Sequence, residues 1–568
     1  MNRTKTACAS IVVCVTKSKI FILGDGGRCL EINRVNPTEI CETESRHHDE
    51  TYGSVYRGSG LLGFIELKGG KYLGLISRVL DVGSIGLDHK VSSIQEVDWI
   101  PVGFGMTTPS KQDSRYMHLI NNLLKSGDFY FSHSLNLSGG NDRFSWNACH
   151  RVPNVSPEWN IDIIHGSLES LKFSSNNRRF QFVLIARRSR FFAGTRYRKR
   201  GLNNRGDCAN EAETEQILIQ IGPPDIVCSF KQVRGSVPLH WGQDMNSILG
   251  RPEIYLRNID FDLSATRKHF QNLVSRYGSP VIPISLLSHK PGSSERNLDA
   301  EYAHALKSIA VDGVGSLRQF DLKAATHADI SSDHHHAINS ASMYREALPI
   351  ARDLIRECGW TEQVGTNIVK RQNGIIRSNC VDCLDRTSIF QYIVGLEVLS
   401  EQLMSLGVLE ALYRPTWTLS PDRSVNPLLQ LVEDVFNRVS DQLALQYAGT
   451  AAHKKYASSS RQGSFDGGLI NSGRELFISL SRHYSSTFTD NDKQHAMNLL
   501  LQLYKEVWDQ LQEDDICAVE GIDKLVHARV TGGELETQTE PILNITRPNP
   551  SGGYETLVPS EWTPIFLQ

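Results

Sequence analysis

The sequence predicts a mixed fold in two successive parts, a β-rich lobe and then an α/β lobe, and three patterns along its 568 residues predict it. Up to about residue 170, short β-type runs alternate with Gly-rich turns, as in Gly63-Phe64-Ile65-Glu66-Leu67-Lys68-Gly69-Gly70-Lys71-Tyr72-Leu73-Gly74-Leu75-Ile76. From 180 to about 400, strand-like runs such as residues 182–185 and 281–287 alternate with helical stretches such as 343–358, the pattern of an α/β lobe. Beyond about 505 the chain becomes polar and turn-prone, with Arg547, Pro548, Asn549, Pro550, Ser551, Gly552 and Gly553 in one run. The expected organisation is a β-rich lobe over 1–175, an α/β lobe over 176–505 and a polar tail over 506–568.

At the N-terminus, Arg3 and Lys5 precede a short apolar run, residues 7–15, that faintly resembles a signal peptide. Ser10 interrupts it, and Thr16-Lys17-Ser18 leads on into Ile20-Phe21-Ile22-Leu23, so two strands joined by a turn account for it better. No run of about 18 consecutive apolar residues exists, and no transmembrane helix is expected. Met117, Leu119, Ile120, Leu123 and Leu124 have helical spacing, and Phe129-Tyr130-Phe131-Ser132 follows as a strand.

Charge excludes one class of function. With 60 Lys plus Arg against 63 Asp plus Glu, a net charge of -3, the chain is no globally basic nucleic-acid binder, and attraction to phosphates must be local. Its 11 cysteines lack regular spacing, which indicates a reducing compartment rather than a disulfide framework.

Residues 374–390 carry the chemistry. Ile375 and Ile376 suit a buried strand end, while Ile389, Phe390, Ile393, Val394, Leu396, Val398 and Leu399 fit a mostly buried helix beginning near Thr387. The loop between them sits at a helix N-terminus, where backbone N–H groups favour anions. Within it, Cys380 is followed by five residues and Arg386. A loop this short wraps its N–H groups around one tetrahedral anion, which makes Asn379, Val381, Cys383, Leu384 and Thr387 candidate substrate-binding positions. Arg386 closes the ring with two parallel donors. A helix N-terminus and an adjacent Arg favour the Cys380 thiolate, which would attack phosphorus and form a phosphocysteine that water then cleaves, without need of a metal or other cofactor. Asp382 and Asp385 are both candidates to protonate the departing oxygen, Asp382 being preferred, and each has the alternative role of ordering the loop.

Cys, five residues and Arg recur by chance in long sequences. Cys380 and Cys383 also form a Cys-x-x-Cys pair, but no second such pair exists for a zinc site, and His334-His335-His336 reads as a solvated loop. The spacing also allows Cys383 to protect Cys380 as a reversible disulfide.

The segment Arg377-Ser-Asn-Cys380-Val-Asp-Cys383-Leu-Asp-Arg386-Thr387 resembles the signature of the Sac domain phosphoinositide phosphatases nearly residue for residue. Family-like blocks also occur at 128–132, 143–147, 193–197, 210–216, 233–239 with Trp241, and 446–450. That resemblance implies a two-lobed fold, a β-rich N-terminal lobe packed on an α/β catalytic lobe, and a phosphorylated inositol lipid as substrate, phosphatidylinositol 4-phosphate being the commonest in the family. It carries over Cys380 as nucleophile and Arg386 as clamp, and places Arg196, Asn210 and Arg234 near the site, as substrate contacts or as loop support. Ser388 stands where the family usually has Asn. Neither the hydrophobic helices of reticulum-tethered members nor a second phosphatase domain is evident, so a cytoplasmic protein visiting endomembranes peripherally is expected.

Two further alternatives concern the surface and the activity. The basic run Arg187, Arg188, Arg190, Arg196, Arg198, Lys199 and Arg200 either faces anionic lipid, at about 1 kcal/mol for each exposed group, or pairs with Glu211, Glu213 and Glu215. A lipid-binding scaffold without turnover and a protein tyrosine phosphatase are the rival functions.

Overall fold

The computed structural model describes residues 9–44, 53–196, 198–243, 253–256, 260, 262–322, 337–409, 427–452, 490–504, 546–548 and 554–556. The run at the N-terminus forms two antiparallel strands, β1 (Ile11–Val15) and β2 (Lys19–Leu23), as the turn-joined pattern predicts. With β3 (Arg28–Asn33), β4 (Ile40–Glu44) and β5 (Ser54–Gly58) they build an antiparallel sheet in the order β4-β3-β2-β1-β5. Alternate side chains on one face, Ile11 and Val13, Ile20 and Ile22, Leu30 and Ile32, pack on Leu61, Leu73 and Leu75 of the layer below and on Trp159 of a short turn beside it.

That layer belongs to a large mixed sheet. Its strands β6 (Gly60–Leu67), β7 (Gly70–Ile85) and β8 (His89–Pro101) are followed by helix α1 (Lys111–Leu124), whose N-cap Ser110 accepts the Asp113 N–H. The meander continues antiparallel through β9 (Phe129–Phe131), β10 (Ile164–Ser175), β11 (Arg178–Arg188), β12 (Ala212–Ile221) and β13 (Ile226–Arg234). The boundary expected at 175/176 falls in the turn of the β10–β11 hairpin, and the sheet runs on across it.

After β13 the topology changes. A small ribbon of β14 (Trp241–Gln243) and β15 (Ile254–Leu256) is followed by α2 (Ser264–Tyr277), β16 (Val281–Ser285), α3 (Ser294–Ile309), β17 (Arg318–Gln319) and α4 (Ala337–Cys358). A hairpin, β18 (Thr361–Val364) and β19 (Asn367–Lys370), then leads to β20 (Ile375–Asn379), α5 (Asp385–Ser405), α6 (Pro427–Ala448) and α7 (Asp490–Leu500). Strand β20 lies between β13 and β16 and is parallel to both. Only this end of the sheet is parallel, so the α/β alternation expected from 180 to 400 begins later, because β11, β12 and β13 form hairpins.

The period of two decides the cores around β20. Ile375, Val281 and Val233 face α2 and α3 on one side, while the adjacent residues Ile376 and Ile282 face α4, α5 and α6 on the other. Helix α5 is apolar around nearly its whole circumference because it is enclosed by the sheet, α4 and α6. Gly395 permits that packing, since a Cβ there would come within 2.7 Å of the Phe436 ring of α6. Gly374, at φ 69°, turns the chain into β20, and a Cβ there would lie 1.9 Å from the Pro280 carbonyl oxygen. Strand β16 ends two residues before the expected 287, where the Leu286 N–H bonds the Asn379 carbonyl at 2.9 Å. Two three-residue strands, β21 (Thr546–Pro548) and β22 (Tyr554–Thr556), pair in the tail; the rest of 506–568, with Tyr197 and His334-His335-His336, lies outside the described residues. Among the described residues no helix is long and apolar enough to cross a membrane.

Candidate active site

Parallel strands expose their C-terminal ends, and the crevice there is where ligands bind in such sheets. The segment 380–384 leaves the C-terminal end of β20 and enters α5 at Asp385, two residues before the expected start. Cys380 is buried, and its Sγ accepts the Cys383 N–H at 2.9 Å and lies 3.4 Å from the Thr387 hydroxyl. To aim that N–H inward, Cys383 adopts a left-handed φ of 53°, a backbone state that costs a non-glycine residue about 1 kcal/mol or more. The Cys383 Sγ sits 2.8 Å from the Gly235 carbonyl oxygen and 3.2 Å from that of Cys380.

Burial alone would raise the Cys380 pKa. The Cys383 thiol, the Arg386 charge and the Thr387 hydroxyl overcome it, against a smaller opposing influence of Asp382, and bring it from 9.0 down to about 6. Burial and the neighbouring sulfur push Cys383 well above the ordinary range. Of the two thiols, Cys380 is the one that ionises.

Asp382 is held by two arginines. Arg196 grips both carboxylate oxygens, Nε at 2.9 Å and Nη2 at 2.6 Å, and Arg200 Nη2 adds a bond at 2.7 Å. Although burial opposes ionisation, these two guanidinium charges hold Asp382 far below the usual carboxylate range. Arg200 Nη1 also donates to the Val381 carbonyl at 2.9 Å, and Asn210 Nδ2 to the Asp382 carbonyl at 3.0 Å. The 196–199 turn is itself fixed by Tyr447, whose carbonyl accepts the Arg196 N–H and whose hydroxyl donates to the Lys199 carbonyl at 2.9 Å. Arg234 reaches the first turn of α5 from beneath, donating to Ser388 Oγ at 2.8 Å and to Gln391 Oε1 at 2.5 Å. Arg196, Asn210 and Arg234 are thus brought together at the loop, and each has protein partners there.

Arg386, in the first turn of α5, donates through Nη1 to the Leu286 carbonyl at 2.9 Å and to Glu295 Oε2 at 2.6 Å. Asp385 is the first residue of the helix and half-buried. Val381, Leu384 and Thr387 are buried around the loop, and among the described residues the buried amide of Asn379 finds no partner through either Oδ1 or Nδ2.

Most of the basic run is engaged by protein groups rather than held out as a patch. Arg187 is fully enclosed between Glu213 and Glu215, at 2.6 Å from each, and Arg188 is buried with Nη2 on the Gly194 carbonyl. Arg190 stacks on Phe191, Arg198 bonds Asn491, and Arg196 and Arg200 serve Asp382. The pairing alternative holds for Glu213 and Glu215, whereas Glu211 pairs with Arg143 and Arg276. Strand pairing explains this, because residues 187 and 213 are direct neighbours across β11 and β12.

Arg200, Glu295, Leu286 and Tyr447 join the site without having been singled out for it. Arg200 is visible in the sequence only as one of a crowd of cations, and Glu295 stands 91 residues from Arg386 with no local pattern linking the two.

A family profile described as the SacI homology domain matches residues 59–327, which end before the Cys380 loop. Phosphoinositide phosphatase SAC4 of Arabidopsis thaliana is 31% identical over 86% of this chain and 69% of its own length. Phosphoinositide phosphatase SAC5 of the same plant is 31% identical over 78% of this chain, which spans 62% of that relative. Phosphatidylinositol-3-phosphatase SAC1, also of Arabidopsis thaliana, is 30% identical over 79% of the chain and 57% of its own length.

Proposed function

The chain belongs to the Sac domain phosphoinositide phosphatase family, and from that premise we propose that it hydrolyses phosphomonoesters of phosphatidylinositol phosphates through a phosphocysteine at Cys380. The observation that carries this reading is the Cys380 sulfur at the end of a parallel strand, accepting the Cys383 N–H at 2.9 Å with Arg386 in the next helical turn, a setting that lowers its pKa to about 6. At neutral pH such a sulfur is mostly thiolate, the nucleophilic form. The thiolate attacks phosphorus, an S–P bond forms and the bond to the inositol oxygen breaks. Arg386 balances the charge on the phosphoryl oxygens. Water then attacks phosphorus, the S–P bond breaks and inorganic phosphate leaves with the thiolate regenerated.

The inositol oxygen needs a proton as it departs, and the two loop carboxyls differ in fitness for that. Asp382, preferred from the sequence, is kept ionised by Arg196 and Arg200, which suits it to fixing the loop rather than to donating. In this reading Asp385 is the donor within the loop. Arg196, Asn210 and Arg234 support the loop through the bonds they already make. This mechanism assigns no step to a metal or other cofactor.

A lipid substrate puts the encounter at a membrane surface. Phosphatidylinositol 4-phosphate is the substrate expected from the family at large, while the name of the SAC1 relative favours removal of a 3-phosphate as a second reading. Phosphate release by wild type and Cys380→Ser across the full set of short-chain phosphoinositides, with a phosphotyrosine peptide for comparison, tests both. Lipid-specific release by the wild type alone is expected. A folded wild type that binds these lipids and releases nothing would return the scaffold reading.

A further inference from the structure

Arg386 is anchored through one of its three nitrogens. Nη1 is taken by Leu286 and Glu295, while among the described residues Nε and Nη2 take no hydrogen bond, and neither is a sealed-off buried atom. Nε and Nη2 form one edge of the guanidinium plane and carry two parallel N–H bonds, the arrangement that matches two oxygens of one phosphoryl group. One anchor, Leu286, lies in the connection between β16 and α3, and the other, Glu295, at the start of α3. The Leu286 N–H is tied to β20 at Asn379, and Glu295 Oε2 also accepts the Ser288 N–H at 2.9 Å. Glu295 lies in the first turn of α3, whose N-cap is Ser293. A chain of bonds therefore runs from the backbone of that connection through one carboxylate to the clamp.

We propose that Glu295 is a positioning residue that fixes Arg386 by Nη1, so that the Nε–Nη2 edge is turned toward the phosphoryl group before substrate arrives. The proposal rests on Arg386 being the clamp. Preorganised donors act without reorganisation at the moment of reaction, so losing the anchor costs turnover more than ground-state affinity for the lipid. An oxyanion held by the loop itself has no other binding energy to draw on, and its affinity falls with the clamp. The opposite role for Glu295 makes the opposite prediction. A carboxylate that competed with phosphate for Arg386 would, once removed, let the oxyanion bind more tightly.

The experiment compares the full chain with Glu295→Gln, Glu295→Asp and Glu295→Ala, reading orthovanadate affinity by calorimetry, kcat and KM on the best phosphoinositide, and the melting temperature. Glu295→Gln keeps an oxygen for Nη1 and stays within about 3-fold of wild type, whereas Asp, one methylene short, and Ala lose on the order of 10-fold or more in orthovanadate affinity and in kcat, with KM changing far less. Rescue by Gln but not by Asp distinguishes reach from charge, and Gln preserves the test if Ala fails to fold. Equal or tighter orthovanadate binding by folded Asp or Ala variants overturns the proposal. A wild type that turns over no phosphoinositide, yet loses orthovanadate affinity in these variants, overturns the lipid reading and supports the anchor.

Discussion

Removing the Thr387 hydroxyl puts a number on the Cys380 environment. The thiol is lowered from 9.0 to about 6. At about 1.4 kcal/mol for each unit, that is roughly 4 kcal/mol in favour of the thiolate. Ordinary thiols of pKa 9.0 are about 1% ionised at pH 7, and this one is about 90% ionised. Thr387 Oγ1 is 3.4 Å from the sulfur, near the outer limit for such a bond. Hydrogen bonds to charged groups contribute about 1.5–3 kcal/mol, so this one belongs at the lower end, about one pKa unit. Thr387→Val, nearly isosteric, then moves the acid limb of kcat/KM from near 6 to about 7. The sign follows from the thiolate being the deprotonated form, since fewer donors raise its pKa and activity is lost from the acid side. At pH 6 the variant retains roughly a fifth of wild-type kcat/KM, and at pH 8 the two converge. The assay is kcat/KM on a short-chain phosphoinositide from pH 4.5 to 9 at constant ionic strength, with Thr387→Ser as the control that keeps the hydroxyl. Substrate ionisation is common to all three proteins and cancels in the comparison. A wild-type limb near 9, or a Val variant superimposable on wild type throughout, would refute the reasoning.

Three further outcomes are expected. Arg187→Met leaves Glu213 and Glu215 facing each other in the interior and lowers stability by about 3–5 kcal/mol in denaturant unfolding, with no change in binding to anionic liposomes by those molecules that remain folded; weakened liposome binding would favour the lipid-facing alternative. Ser388→Ala removes an acceptor from buried Arg234 and costs about 1–3 kcal/mol by the same measurement, an unchanged midpoint arguing that the bond contributes nothing. His150 presents both ring nitrogens to carbonyls, Phe64 at 2.7 Å and Leu500 of α7, and although burial opposes it, these and Cys149 raise its pKa. A raised histidine pKa means stability fully present below 6.5 and lost as pH rises through the folded value, so amide protection of α7 should fall as the pH is raised above 6.5 in wild type but not in His150→Asn.

Much of this molecule was legible in short stretches of sequence. The strand pair at the N-terminus, the helix over 116–124 and the strand–loop–helix around Cys380 follow from periodicities of 2 and 3.6 and from turn residues, all of which act within a few positions. Cys380 and Arg386 lie within one such stretch, so the pair was visible without any neighbour. The resemblance of the signature then placed Arg196, Asn210 and Arg234 near it, but did not say what each touches.

Sequence by itself determined the strand, loop and helix that carry Cys380 and Arg386, because these depend on residues that are adjacent along the chain. Tertiary structure alone decided the charges. It put Arg187 opposite Glu213 across two strands, closed Arg196 and Arg200 on Asp382 from more than 180 residues away, and set Glu295 against Arg386. A carboxylate's partner fixes whether it donates a proton, orders a loop or steers an arginine, and Coulomb interaction depends on distance in space, which separation along a chain does not reveal.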